Sequence, residues 1–121
     1  MIAYISGHLD LTSAEFDEHY LRPIREALLR DDQFIIGDAR GTDTIAQGYL
    51  KFVAKNEVVT VYHMFDKPRN NVGNFKTVGG FKSDEERDAA MTAASDYDIA
   101  WVRPGRENSG TAKNLARRKK V

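Results

Sequence analysis

The chain has 121 residues, 41% of them hydrophobic, which suits one packed domain. Eighteen basic and eighteen acidic side chains cancel, which argues against the globally basic surface of a general nucleic-acid binder. There is no cysteine, and no apolar run approaches the roughly 18 residues of a membrane helix, so disulfides, thiolate metal sites and a spanning segment are excluded.

The opening Met1-Ile2-Ala3-Tyr4-Ile5-Ser6-Gly7 lacks a basic n-region and a long apolar run, so no secretory signal is expected and the protein is placed in the cytoplasm. Ile2–Ile5 reads as a buried strand ending in a Ser-Gly turn. Thr12-Ser13-Ala14-Glu15 is a capping box, and Phe16, Tyr20, Ile24 and Leu28 follow at helical spacing to about Arg30. Pro23 inside this pattern predicts a kink or a fresh start near Leu21. Gln33–Ile36 is a second strand, closed by Gly37, and a helix from about Asp43 to Lys55 follows the loop. Val58–Tyr62 is a third, β-branched strand. His63–Lys82 has no periodicity and reads as one long loop. Ser83-Asp84-Glu85-Glu86 is a second capping box, opening a helix to about Ala94. Asp98–Val102 is a fourth strand, Pro104–Ser109 a loop, and Thr111–Lys119 a terminal helix.

Strands and helices alternate throughout, and parallel strands need crossovers. The expected fold is therefore a single α/β domain, a three-layer Rossmann-like sandwich with a short parallel sheet of four to five strands. Ligands of such sheets bind beyond the carboxyl ends of the strands. The unusual residues fall there: Ser6-Gly7-His8, then Gly37-Asp38-Ala39-Arg40-Gly41-Thr42-Asp43, then Pro104-Gly105 and Ser109-Gly110-Thr111. Two of these loops place glycine immediately before a helix, where free amides and the helix dipole favour a phosphate. Arg40 adds a bidentate donor.

The Gly37–Ala46 segment resembles the glycine-rich turn of the SLOG superfamily, with its YspA-like branch the nearest in pattern. That turn reads "GGARGAD-x-LA", and here Asp38 and Thr42 replace its second glycine and second alanine. Further similarities follow in order. Tyr4-Ile5-Ser6-Gly7-His8 is similar to the family's first strand and turn. Arg87-Asp88-Ala89-Ala90-Met91 is similar to its "RN-x-x-M" helix. Asp98–Gly105 and Ser109-Gly110-Thr111-Ala112 are similar to its "PGG" strand and "GT" turn. The resemblance implies a Rossmann-like nucleotide-ligand domain with Arg87 reaching the ligand. LONELY GUY phosphoribohydrolases share the fold and use "PGG-x-GT-x-x-E". Here Arg106 replaces their second glycine, two residues are inserted, and Asn114 stands at their glutamate. Related proteins also carry a further strand beyond the point where this chain stops, so the sheet is expected to be short or completed by another chain.

Asp38 is the ribose-hydroxyl candidate, and Asp38 and Glu107 are the candidate catalytic acids; Asp43 reads as a helix cap or first-turn acid. Asp98 starts a strand, at the wrong end for catalysis. His8 reads as a loop histidine or a ligand contact, Arg87 as a surface ion pair or a ligand contact, and Tyr4 as core or platform. Phe34 and Trp101 read as core. His19 and His63 lack partners at metal spacing, so neither metal nor cofactor is expected. Arg117–Lys120 reads as a solvated helix end. The leading expectation is binding of a nucleotide or ADP-ribose-like phosphate ligand by a homo-oligomer, with the ligand contacts Ser6, Gly7, His8, Gly37–Asp43, Arg87, Pro104, Ser109, Gly110 and Thr111. N-glycosidic hydrolysis of a nucleoside monophosphate is the alternative. Single-stranded DNA binding through Arg40 and the basic terminus comes third, opposed by neutral charge and few loop aromatics.

Overall fold

The computed structural model describes residues 1–119. Ile2–Ile5 (β1), Gln33–Gly37 (β2) and Val59–Met64 (β3) are the apolar, β-branched runs that strands covered on both faces require. They pair in parallel, Ile5 beside Ile36 and Ile36 beside Val61. Tyr97–Ile99 (β5) adds in parallel to the free side of β1, and Lys76–Phe81 (β4) to the outer side of β3. The sheet thus has five parallel strands in the order β4-β3-β2-β1-β5.

Successive residues of a strand point to opposite faces. Ala3 and Ile5 therefore join the larger core with Phe16, Tyr20, Ile24, Ala46 and Leu50, while Tyr4 joins a smaller one with Ile35 and Met91. Helices α1 (Ser13–His19), α2 (Leu21–Leu29) and α3 (Thr42–Val53) cover the first face. The second is covered by α4 (Asp84–Ala94) and α5 (Gly110–Arg118). This is the three-layer Rossmann-like sandwich expected from the alternation of elements. No helix among the described residues is long and apolar enough to cross a membrane.

The fresh helix start expected near Leu21 is observed: the helix breaks at Tyr20, because Pro23 has no N–H to offer the carbonyl of His19. Three departures from the sequence reading have local causes. The Thr12 capping box is complete, but at Ser83 only half forms: Ser83 Oγ accepts Glu86 N–H at 3.1 Å while the Glu86 carboxylate turns to Lys82 N–H. The fourth predicted strand ends at Ile99 rather than Val102, since Trp101 N–H is taken by Tyr20 Oη and Arg103 N–H by His8 Nε2. Most consequentially, the predicted His63–Lys82 loop contains β4. This edge strand is exposed and carries Gly79 and Gly80, so it lacks the alternation that marks a half-buried strand. Its crossover from β3 has no helix. Gln47 on α3 holds the crossover instead, donating to Asn70 O and accepting Val72 N–H.

Candidate functional site

Strands β2, β3 and β4 are laid down outward on one side of β1, and β5 then returns to the other side. The turns leaving β1 and β5 diverge at this switch point and open a crevice at the carboxyl end of the sheet. A cavity of about 490 Å³ occupies it. Three turns face it: Ser6-Gly7-His8 after β1, Gly37–Asp43 after β2, and Ser109-Gly110-Thr111 at the start of α5. The two glycine-bearing turns that precede helices therefore converge on one space.

One part of the lining favours anions. Ser109 caps α5 by accepting Ala112 N–H at 3.2 Å, which leaves the amides of Gly110 and Thr111 without a partner among the described residues. Arg40 lines the cavity, is exposed, and has no ion-pair partner among the described residues. Arg106, also in the lining, is held by Asp10 at 2.7 Å. That pair keeps the Asp10 carboxyl down at about 2, with Arg103 contributing.

The opposite part is a web of acids and guanidiniums. Asp38 is fully buried and accepts Arg87 Nη1–H at 2.7 Å, Arg69 Nη2–H at 2.9 Å and Arg69 N–H at 2.7 Å. Burial opposes its ionisation, but the bonds and charge of Arg69, aided by Arg87, overcome that and hold the carboxyl below its ordinary value. Arg87 also donates to Asp88, and Arg69 to Asp84. Asp43 Oδ2 accepts Ala39 N–H at 3.0 Å. Burial pushes the Asp43 carboxyl up to about 7, against the pull of Arg87 and the Ala39 amide and with the push of Asp88 and Asp38. Tyr4 Oη accepts from Asn114 Nδ2 at 3.0 Å, and burial beside Asp88 and Asp43 raises its pKa well above the usual tyrosine value.

Two glycines of the second turn have no room for a side chain. At Gly37 a Cβ would lie 2.6 Å from Asp43 Oδ2 and 3.1 Å from Arg87 Cζ, so the bare backbone leaves room for both side chains. Gly41 has φ +74° with the carbonyls of His8 and Leu9 against it, a conformation and a space that exclude a side chain. His8 is buried and accepts Arg103 N–H through Nε2 at 2.9 Å, so the neutral ring carries its proton on Nδ1. Burial and then the charges of Arg103 and Arg106 push its pKa down, which agrees.

Of the expected contacts, those at Ser6, Gly7, His8, Gly37, Ala39, Arg40, Asp43, Arg87, Ser109, Gly110 and Thr111 line the cavity. Five do not. Asp38 is fully buried, outside the lining, and is bonded to Arg69 and Arg87. Gly41 and Thr42 pack on the His8 turn, with Thr42 Oγ1 donating to His8 O at 3.0 Å. Pro104 is exposed and away from the lining. Glu107 is exposed and accepts Gly105 N–H at 3.3 Å, so neither carboxylate proposed as a catalytic acid faces the cavity. Arg87 is not a surface ion pair: it is buried. Tyr4, Arg69, Asp88 and Asn114 are additions. Asn114 was marked by standing at the glutamate position of the resembling enzymes, and Asp88 by its place in the "RN-x-x-M"-like helix. Arg69 sits in a segment with no periodic signal, and only the tertiary fold reveals it.

Elsewhere, Arg118 is bound to Asp98 and to the carbonyls of Thr92 and Ser95, so part of the basic end ties α5 to the body of the fold. Lys120 lies outside the described residues. Trp101 stacks on His19 with ring centroids 3.9 Å apart, and Phe34 is core. No family model, curated protein or solved structure matches this chain.

Proposed function

We propose that the cavity binds a nucleotide or a nucleotide-derived phosphate such as ADP-ribose. One observation carries the reading: the Gly37–Asp43 turn, the Ser109–Thr111 helix start and Arg40, which has no ion-pair partner among the described residues, line a single cavity at the switch point of a parallel sheet. The open amides and the guanidinium supply what a phosphate needs, and the cavity volume suits a nucleotide. The SLOG resemblance points to the same ligand class.

A thermal-shift panel of nucleoside phosphates and ADP-ribose tests this. A ligand at about 100 times its Kd adds about 2.7 kcal/mol of stability, a readily measured rise in Tm. Arg40→Ala should weaken binding about 10-fold without changing the unliganded Tm, because Arg40 makes no ion pair among the described residues. A panel with no shift at all refutes the reading.

A second reading, hydrolysis of an N-glycosidic bond, is favoured by the buried carboxyl of Asp43 in the lining. Water would add to the anomeric carbon as the carbon–nitrogen bond breaks, with the Asp43 proton passing to the departing nitrogen and the proton shed by the added water going to solvent, from which Asp43 is reprotonated. Release of free base from nucleoside monophosphates, lost in Asp43→Ala, is its test.

A further inference from the structure

The acid-rich wall of the cavity holds more carboxyl groups than it can neutralise. Asp38, Asp43, Asp84 and Asp88 share the guanidiniums of Arg69 and Arg87. Asp38, Asp84 and Asp88 each pair with one or both, whereas Asp43 makes no ion pair among the described residues. Asp43 is 7% exposed, and Oδ2 has only the Ala39 amide. Its Oδ1 accepts nothing from the protein among the described residues. The groups around it are Tyr4 from β1, Tyr20 between α1 and α2, Asp38 after β2, Arg87 and Asp88 from α4, with Asp84 and Arg69 behind them and Arg40 in the same lining. Asn114 of α5 is neutral and is engaged with Tyr4. Arg87 pulls on Asp43 but is bonded to Asp38 and Asp88, Arg40 makes no ion pair with it among the described residues, and bringing an anion into the same cavity adds further negative charge.

We infer that Asp43 binds the anionic ligand as a neutral carboxylic acid, taking up a proton on association and donating it as a hydrogen bond to the ligand. This rests on the anion-binding reading above and goes beyond it. A charged carboxylate beside a phosphate in a desolvated site repels it, whereas the protonated form offers an O–H donor. Asp43 thereby becomes a specificity-determining residue. It favours ligands with an acceptor oxygen at the α3 end of the cavity and sets the pH range over which they bind. The raised ionisation point of this carboxyl, about 7 in the free protein, agrees with that role. Binding is strongest where Asp43 already carries its proton and weakens about tenfold per pH unit above the free-protein value.

ADP-ribose is the suitable probe because its diphosphate diester does not titrate near neutrality. Isothermal calorimetry on the intact chain at pH 6.0 and 8.5 should show affinity falling about 30-fold. At pH 8, titrations in two buffers of different ionisation enthalpy should show uptake of close to one proton per ligand. Asp43→Asn keeps the shape, removes the titration, and should bind with little pH dependence at an affinity near the low-pH value of the parent. If that variant does not fold, the two-buffer proton count on the unmodified protein decides alone. Binding without proton uptake and with flat pH dependence overturns the inference while leaving the ligand reading intact. Absence of ADP-ribose or nucleotide binding at every pH overturns the ligand reading instead.

Discussion

Asp38 offers the sharpest separation of a structural from a ligand-binding role. Replacing it with Ala removes the acceptor 2.7 Å from Arg87 Nη1 and the two-point clasp on Arg69. Arg69 is 44% exposed and can turn to water, but Arg87 is 7% exposed and cannot. Breaking one partner out of a buried pair costs about 3–5 kcal/mol. Asp88 and Asp84 still face Arg87, which places the loss near the low end, about 3 kcal/mol. A chain of 121 residues unfolds with an entropy of about 0.25 kcal/mol/K, so Tm should drop by about 12 °C. The measurement is a calorimetric or circular-dichroism melt of parent and Asp38→Ala at pH 7. Because the folded-state pKa of Asp38 is depressed, its stabilisation is present above the ordinary carboxylate value and fades as pH falls below about 4. The gap between the two melting curves should therefore narrow in acid. A Tm loss under about 3 °C combined with abolished ligand binding would falsify the structural assignment and return Asp38 to the ligand.

Three further substitutions probe how the fold and the site are built. Gly37→Ala pushes a methyl against Asp43 Oδ2 and Arg87 and should cost about 1–3 kcal/mol with weakened ligand binding, whereas Gly48→Ala has open space in α3 and should stabilise by about 0.4–1 kcal/mol. Equal melts for the two variants would contradict the close packing at Gly37. Tyr20→Phe removes a buried hydroxyl that donates to Ser6 O at 2.8 Å and accepts Trp101 N–H at 3.1 Å, leaving one buried and one half-buried backbone group without that partner. A loss of about 2 kcal/mol in urea denaturation is expected, and an unchanged midpoint would show that the turn after β1 does not depend on this bond.

The fold was largely legible because its central strands announce themselves. Ile2–Ile5, Gln33–Ile36 and Val58–Tyr62 are apolar on both faces, and only a covered parallel sheet accepts such runs. The glycine-bearing turns were legible for a similar reason, since backbone freedom just ahead of a helix has few uses. β4 was not legible. Its residues are exposed, its side chains carry no period, and β3 beside it is what makes it a strand.

The sequence by itself determined the α/β class, the capped helix start at Thr12, and which turns would lie at the carboxyl ends of the strands. Those properties reside in short stretches of chain, where spacing and residue type act over a few positions. Only the tertiary structure decided which carboxyl faces the cavity. Asp38 and Asp43 lie five positions apart in one turn, and nothing local distinguishes their prospects. Arg69 and Arg87, arriving from the crossover and from α4, claim the first and leave the second without an ion pair among the described residues. Charge pairing across the fold depends on where distant segments dock, and that is written in packing rather than in pattern.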